Sequence, residues 1–140
     1  MTQSLDAPLA NLLDLGLLAK HAHWNVRGPN FRAMHLFLDE LADLSRLAAD
    51  EVAERAVTLG ASADGRARTV ADTSSLQTLD AGPIDDRDVV ARLGAILEDV
   101  IARLHGSCAD FEQDPVTMDL LVGLVGRFEK QAWMLRAQHA

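Results

Sequence analysis

His23, His35, Asp39, Asp50 and Glu54 are the residues of this chain whose types and spacing could do chemistry. Imidazole nitrogens and carboxylate oxygens in that mix suit iron, manganese or zinc. His35 and Asp39 are four residues apart, and so are Asp50 and Glu54, so on a helix each pair shares a face. At about 100° per residue, Asp39, Asp50 and Glu54 lie roughly 40°, 60° and 100° around the axis from His35. Arg46 falls in the same arc, about 20° from His35, where it could meet carboxylates across an interface.

Distance along the axis restricts how these groups can act together. Asp39 and Asp50 are separated by about 16 Å of helix, whereas a metal–ligand bond is only ~2 Å. One ion cannot touch both pairs on one straight helix. Two arrangements remain. The pairs are unrelated surface features, or His35 and Asp39 of one chain face Asp50 and Glu54 of a second across a twofold axis, which creates two sites at once. His23 precedes a turn and is placed to complete the first half. His21 lies about 200° from His23 on a helix, so only one of them can face the site, and His21 reads as solvated. His105 and His139 have no partner at metal spacing and read as surface residues. Trp24 taken alone reads as a core or interface aromatic, and Cys108 as a small buried apolar residue.

Helices must position these groups. Leu5, Leu9, Leu12, Leu13 and Leu17 recur at helical spacing and predict a first helix over about 5–26. Arg27-Gly28-Pro29-Asn30 breaks it. A second helix is predicted over about 31–59, closed by Gly60 as a C-terminal cap. Residues 60–84 lose periodicity, as a connection crossing the molecule would, with a short helix expected around Ser75 to Leu79. A third helix begins near Asp85 or Asp86, both good N-caps, and carries the stripe Val89, Leu93, Ile96, Leu97, Val100, Ile101 and Leu104. Asp114-Pro115 reads as the N-cap and first residue of a fourth. Two hairpins joined by one long crossover form the pattern of an all-α, ferritin-like four-helix bundle, here a single domain over 1–140.

Composition narrows the function classes. The net charge is -8, and only Lys20 and Lys130 among the thirteen basic residues are lysines. An acidic body repels nucleic acid and anionic membranes and attracts cations. No Lys or Arg precedes Lys20. No basic leader or membrane-length apolar run is visible, so the expected location is cytoplasmic. One cysteine allows no intrachain disulfide.

The string H-W-N-V-R-G-P-N-F-x-x-x-H-x-x-x-D from His23 to Asp39, then D-x-x-x-E-R-x-x-x-L-G from Asp50 to Gly60, resembles the Dps family, or mini-ferritins. The likeness is strongest from Lys20 to Gly60 and weaker around Phe128-Glu129-Lys130 and Trp133. It implies that His23, His35, Asp39, Asp50 and Glu54 are ferroxidase ligands at a dimer interface, with Trp24 beside them in electron transfer. Ordinary ferritins use E-x-x-H within each subunit, and that motif is absent from this sequence.

The resemblance further implies a hollow dodecamer built from antiparallel dimers. Two Fe(II) ions would bind near each intersubunit site, be oxidised by hydrogen peroxide or oxygen, and be stored as ferric mineral, with zinc or manganese as alternative occupants. Acidic threefold pores are expected at the start of the fourth helix, lined by Asp119 and Asp114. DNA-binding members carry Lys- or Arg-rich tails. None is seen here, so DNA binding is not carried over. The competing readings are a nucleoid protein that compacts DNA and a metal-free interaction module.

Overall fold

Leucines and alanines at three- and four-residue spacing fold the first part of the chain into a helical hairpin, α1 (Asp6–Asn25) and α2 (Phe31–Thr58). The computed structural model describes residues 4–138, so the reading of His139 and of both chain ends lies outside the described residues. A second hairpin pairs α4 (Asp86–Cys108) with α5 (Pro115–Ala137). Between the hairpins, a crossover carries the short helix α3 (Ala67–Thr73) along α1. The chain is thus mostly helical and has the ferritin-like order of elements expected from its periodicity.

One continuous core fills the space between the hairpins. It includes Leu12, Leu15, Met34, Leu38, Leu41, Leu93, Leu97, Leu121, Leu124 and Phe128, all fully buried. Each such side chain contributes about 1.5–3 kcal/mol on burial, so this core, rather than surface ion pairs, fixes the bundle. Helix α1 is apolar on more than its core side. Leu15 and Leu18 are buried, while Leu17 of the expected stripe is 57% exposed. Val122 of α5 likewise faces outward.

The crossover departs from expectation in three ways. Its helix lies at Ala67–Thr73, not around Ser75 to Leu79. Asp64 accepts hydrogen bonds from the Arg66 backbone N–H and the Thr69 hydroxyl, which starts the helix early, and Val70 anchors it in the protein. Ser74 and Ser75 are then spent on α1: the Ser74 hydroxyl donates to Asp14, and the Ser75 N–H donates to the buried Asn11 side chain at 3.0 Å. Second, His21 is not a solvated bystander. It is half-buried, and its Nε2–H donates to the Asp80 carbonyl at 2.9 Å. Third, the crossover ends in a two-residue parallel pairing, β2 (Ile84–Asp85) against β1 (Val26–Arg27), which so short a segment does not announce by its pattern.

The two hairpins are fastened by charge at one end. Arg55 of α2 donates to both carboxylate oxygens of Asp114 at 3.0 Å and to the Thr117 hydroxyl at 2.8 Å. Asp114 is the N-cap of α5 and accepts from the Thr117 N–H. Hydrogen bonds from Thr117, then Arg55, hold its carboxyl at a pKa of about 2, below the ordinary 3.8. A depressed carboxyl stabilises the fold above its unfolded pKa and loses that contribution as pH falls through the folded value. Asp114→Asn should therefore be less stable than the parent at neutral pH. The gap should close as pH falls from about 4 to about 2, as read by urea unfolding at a series of pH values. A gap independent of pH would show that Asp114 is not held in this way.

Candidate metal centre

The turn between α1 and α2 brings the two histidines together. The helical hydrogen bonds of α1 end at Asn25, which leaves the His23 carbonyl among the last carbonyls without a partner on its own helix. The ring of His35 fills that role: its Nδ1 lies 2.7 Å from the His23 carbonyl. In return, the Nδ1 of His23 lies 2.6 Å from the His35 carbonyl. The rings stack at 3.7 Å between centroids and 13° between planes, and Phe31 continues the stack over His35 at 5.0 Å.

These crossed bonds settle the tautomer. A carbonyl oxygen only accepts, so each Nδ1 carries a proton, and in the neutral ring it is Nε2 that holds the lone pair. A metal-binding histidine needs this arrangement, with one nitrogen anchored to a backbone carbonyl and the other open. The two open nitrogens belong to half-buried side chains stacked side by side.

Asp39 lies one turn beyond His35, within electrostatic reach of both imidazoles. Its carboxylate is paired with the Lys20 ammonium. That hydrogen bond, more than the nearby charges, holds the Asp39 carboxyl below its ordinary value. An ammonium therefore stands where a divalent cation would otherwise draw on the same oxygens. From the sequence, Lys20 stands out as one of two lysines and as the start of the matching string, not as a partner of Asp39. The signal was present, since Lys20 sits three residues before His23 and thus on the same face of α1.

Asp50 and Glu54 are exposed further along α2. Among the described residues, no three His, Cys, Asp or Glu side chains converge closely enough to hold a metal ion. The fold stacks His23 of α1 on His35 of α2 with Asp39 in electrostatic reach, and Asp50 and Glu54 stand further along α2. Trp24 is 71% exposed and does not belong to the core of its own chain. Arg46 makes no ion pair among the described residues, and its stem packs near Gly16 where α1 and α2 approach closely. Asp119 is exposed on α5, whereas the Asp114 carboxylate is engaged by Arg55 and Thr117. Arg55, which follows Glu54 in the motif, is a fastening residue. Cys108 is buried as expected, its thiol pushed up by burial, and His105 is exposed.

Residues 2–140 match the family model of the ferritin-like domain. A DNA protection during starvation protein of Deinococcus radiodurans is 39% identical over 137 residues, covering 96% of this chain and 56% of that protein. One from Mycolicibacterium smegmatis is 38% identical over 137 residues, covering 95% of this chain and 73% of that protein. A crystal structure of a Deinococcus radiodurans Dps superimposes with a TM-score of 0.92 at 37% identity, covering 95% of this chain and 81% of the other. The Dps of Microbacterium arborescens, solved in a high iron form, gives 0.87 at 29% identity, covering 94% and 87%. The chain belongs to the Dps family of ferritin-like proteins. It spans little more than half the length of the Deinococcus relative.

Replacing Lys20 with Met should let the Asp39 carboxyl titrate closer to its ordinary value of 3.8, followed by NMR of the side-chain carboxyl. The same variant should bind Co(II) more tightly, because the metal no longer displaces an ammonium. An Asp39 titration identical in both proteins would show that Lys20 does not hold it.

Proposed function

We propose that the protein is an iron-sequestering ferroxidase. It oxidises Fe(II), preferably with hydrogen peroxide, at sites shared between two chains, and stores the ferric product inside a cage. The observation that carries this reading is the stacked histidine pair, each ring anchored through Nδ1 on a backbone carbonyl, with Asp39 beside it. Family membership supports it, as does the relative solved in a high iron form.

The surface around the ligands favours a second copy of the chain. Leu17 and Trp24 on α1 are seven residues apart, about two turns, and exposed. Leu36 and Leu47 on α2 are about half exposed and share a stripe with Asp43, Asp50 and Glu54. Four large apolar side chains on one hairpin mark an interaction face. An antiparallel pairing of two such faces sets Asp50 and Glu54 of one chain against His23, His35 and Asp39 of the other, twice per dimer. We take six such dimers as the dodecameric cage.

The division of labour follows ligand chemistry. His23 and His35 supply neutral nitrogen donors, which suit Fe(II). Asp39, Asp50 and Glu54 supply negative oxygen donors, which favour the ferric product. Peroxide accepts one electron from each of two Fe(II) ions. Its O–O bond breaks, and with two protons it leaves as two waters. Fe(III) then hydrolyses, releases protons and joins the mineral. Consuming Fe(II) and peroxide in the same step forms no hydroxyl radical. Trp24, exposed and next to His23 in sequence, is our candidate for electron transfer beside the site.

Entry of iron is assigned to Asp119, exposed near the start of α5. Asp114 serves there mainly to fix the helix terminus through Arg55. The protein acts in the cytoplasm on this reading, in keeping with a single buried thiol. No helix is long and apolar enough to cross a membrane among the described residues. The relatives' names speak of DNA protection. Removal of iron and peroxide achieves that without contact, and a net charge of -8 opposes binding to phosphate.

Anaerobic Fe(II) loading followed by a peroxide pulse tests the activity. Rapid absorbance change, consumption of both Fe(II) ions per peroxide and suppressed radical trapping are expected. They should be lost in His35→Ala/Asp39→Ala. Equal, slow oxidation in both proteins would remove the ferroxidase reading. Asp119→Asn should slow mineral growth while leaving the first oxidation intact, and unchanged mineral growth would exclude it from the entry path.

A further inference from the structure

We propose that Asp86, remote in sequence from every candidate ligand, is the positioning residue of the histidine pair. It is 4% exposed and has no lysine or arginine partner among the described residues. Asp85 and Asp86 are the two alternative N-cap candidates for α4 in the sequence. The N-cap is Asp85, whose side chain pairs instead with Arg27 at 2.8 Å and makes no cap hydrogen bond. Asp86 is the first residue of α4. One of its oxygens accepts from the Arg87 N–H at 2.8 Å, and the other accepts from the Asn30 N–H, also at 2.8 Å.

The second bond reaches across to the other hairpin. Asn30 is the residue from which α2 starts, and the Phe31 N–H donates to the Gly28 carbonyl to close the same turn at 3.1 Å. Gly28 has a φ of +125°, and a Cβ there would stand 2.8 Å from the Asp86 carboxyl carbon. The turn is therefore moulded on this carboxylate, with no room between them. The β1–β2 pairing holds the chain on one side, through Val26 with Ile84 and Arg27 with Asp85.

Burying an unpaired carboxylate is costly unless hydrogen bonds and dipoles meet its charge. Here two backbone N–H groups and the amino-terminal end of α4 do so. An apolar side chain would pack the same place without that cost. What an oxygen acceptor supplies, and an apolar side chain cannot, is a fixed position for the Asn30 N–H, and so for the first turn of α2. His35 lies on the next turn, and its alignment with the end of α1 decides whether both crossed bonds to His23 can form. The crossover thus sets the geometry of the hairpin from outside it. Its effect on metal affinity rests on the ferroxidase reading, whereas its effect on the histidine tautomers does not.

The test compares Asp86→Ala, Asp86→Asn and the control Arg27→Ala as assembled proteins. Two quantities are read: the Nδ1–H signals of His23 and His35 by NMR of isotope-labelled histidine, and affinity for Co(II) by absorption titration. Asp86→Ala should keep its helical circular dichroism yet lose the two hydrogen-bonded Nδ1–H signals and about tenfold or more in Co(II) affinity, as removal of supporting groups around a metal site does. Asp86→Asn retains an acceptor for the Asn30 N–H and should recover most of both. Arg27→Ala should resemble the parent. Should Asp86→Ala not fold, Gly28→Ala disturbs the same contact from the other side and should give the same two losses. Both Nδ1–H signals persisting in whichever of these two variants folds would overturn the proposal. So would an Asp86→Asn protein no better than Asp86→Ala. If the parent shows both signals but binds no Co(II), the ferroxidase reading fails while the positioning role stands on the tautomers alone.

Discussion

The crossed hydrogen bonds between His23 and His35 depend on the meeting of two helix ends, and most of the molecule serves to hold those ends in register. A histidine anchored through Nδ1 is a better ligand than a free one, because its tautomer is fixed, its open nitrogen is more basic and its ring is already aimed. Neither ring could be anchored this way on an isolated helix. His23 needs a carbonyl from α2, and His35 needs one that α1 leaves unpaired at its end. The hairpin is therefore a condition for the site, and the buried carboxylate of Asp86 bears on the site through the hairpin.

The energetics divide between two faces. Inward, the leucine-rich core supplies the stability, and polar exceptions such as Asn11 and Asp86 are each matched by hydrogen bonds. Outward, α1 and α2 carry the candidate ligands and large apolar residues together. This combination is costly for a chain alone and favourable for one that pairs with its own kind. Lys20 fits the same logic. Its pairing with Asp39 keeps a carboxylate beside two open imidazoles from being an uncompensated charge, and it sets a threshold that a metal must exceed.

Much of this was legible in the sequence. Leucine spacing and the Gly28-Pro29 break located α1 and α2 to within a residue, and Asp114-Pro115 marked the start of α5. The rise along α2 showed that His35 and Asp39 cannot share one ion with Asp50 and Glu54 on one straight helix, and α2 runs unbroken through all four. What was hidden depends on contacts between distant segments. Nothing local distinguishes Asp86 from Asp85, yet one is buried against the turn and the other pairs with Arg27 on the surface. The crossover helix was misplaced because Ser74 and Ser75 look like helix starters, whereas here they end one by bonding to Asp14 and Asn11. His21 was dismissed because its partner, the Asp80 carbonyl, is a backbone group that no motif can reveal.

The sharing of each site between two chains is best tested by complementation. One protein would carry His35→Ala/Asp39→Ala and the other Asp50→Ala/Glu54→Ala, each inactive alone, and the two would be co-expressed. In a mixed dimer one of the two sites regains every ligand, so random pairing should restore about a quarter of the parental ferroxidase sites. Restored peroxide-dependent oxidation of Fe(II) near that level is the expected result. Mixed assemblies that form but remain as inactive as either parent would contradict a shared site.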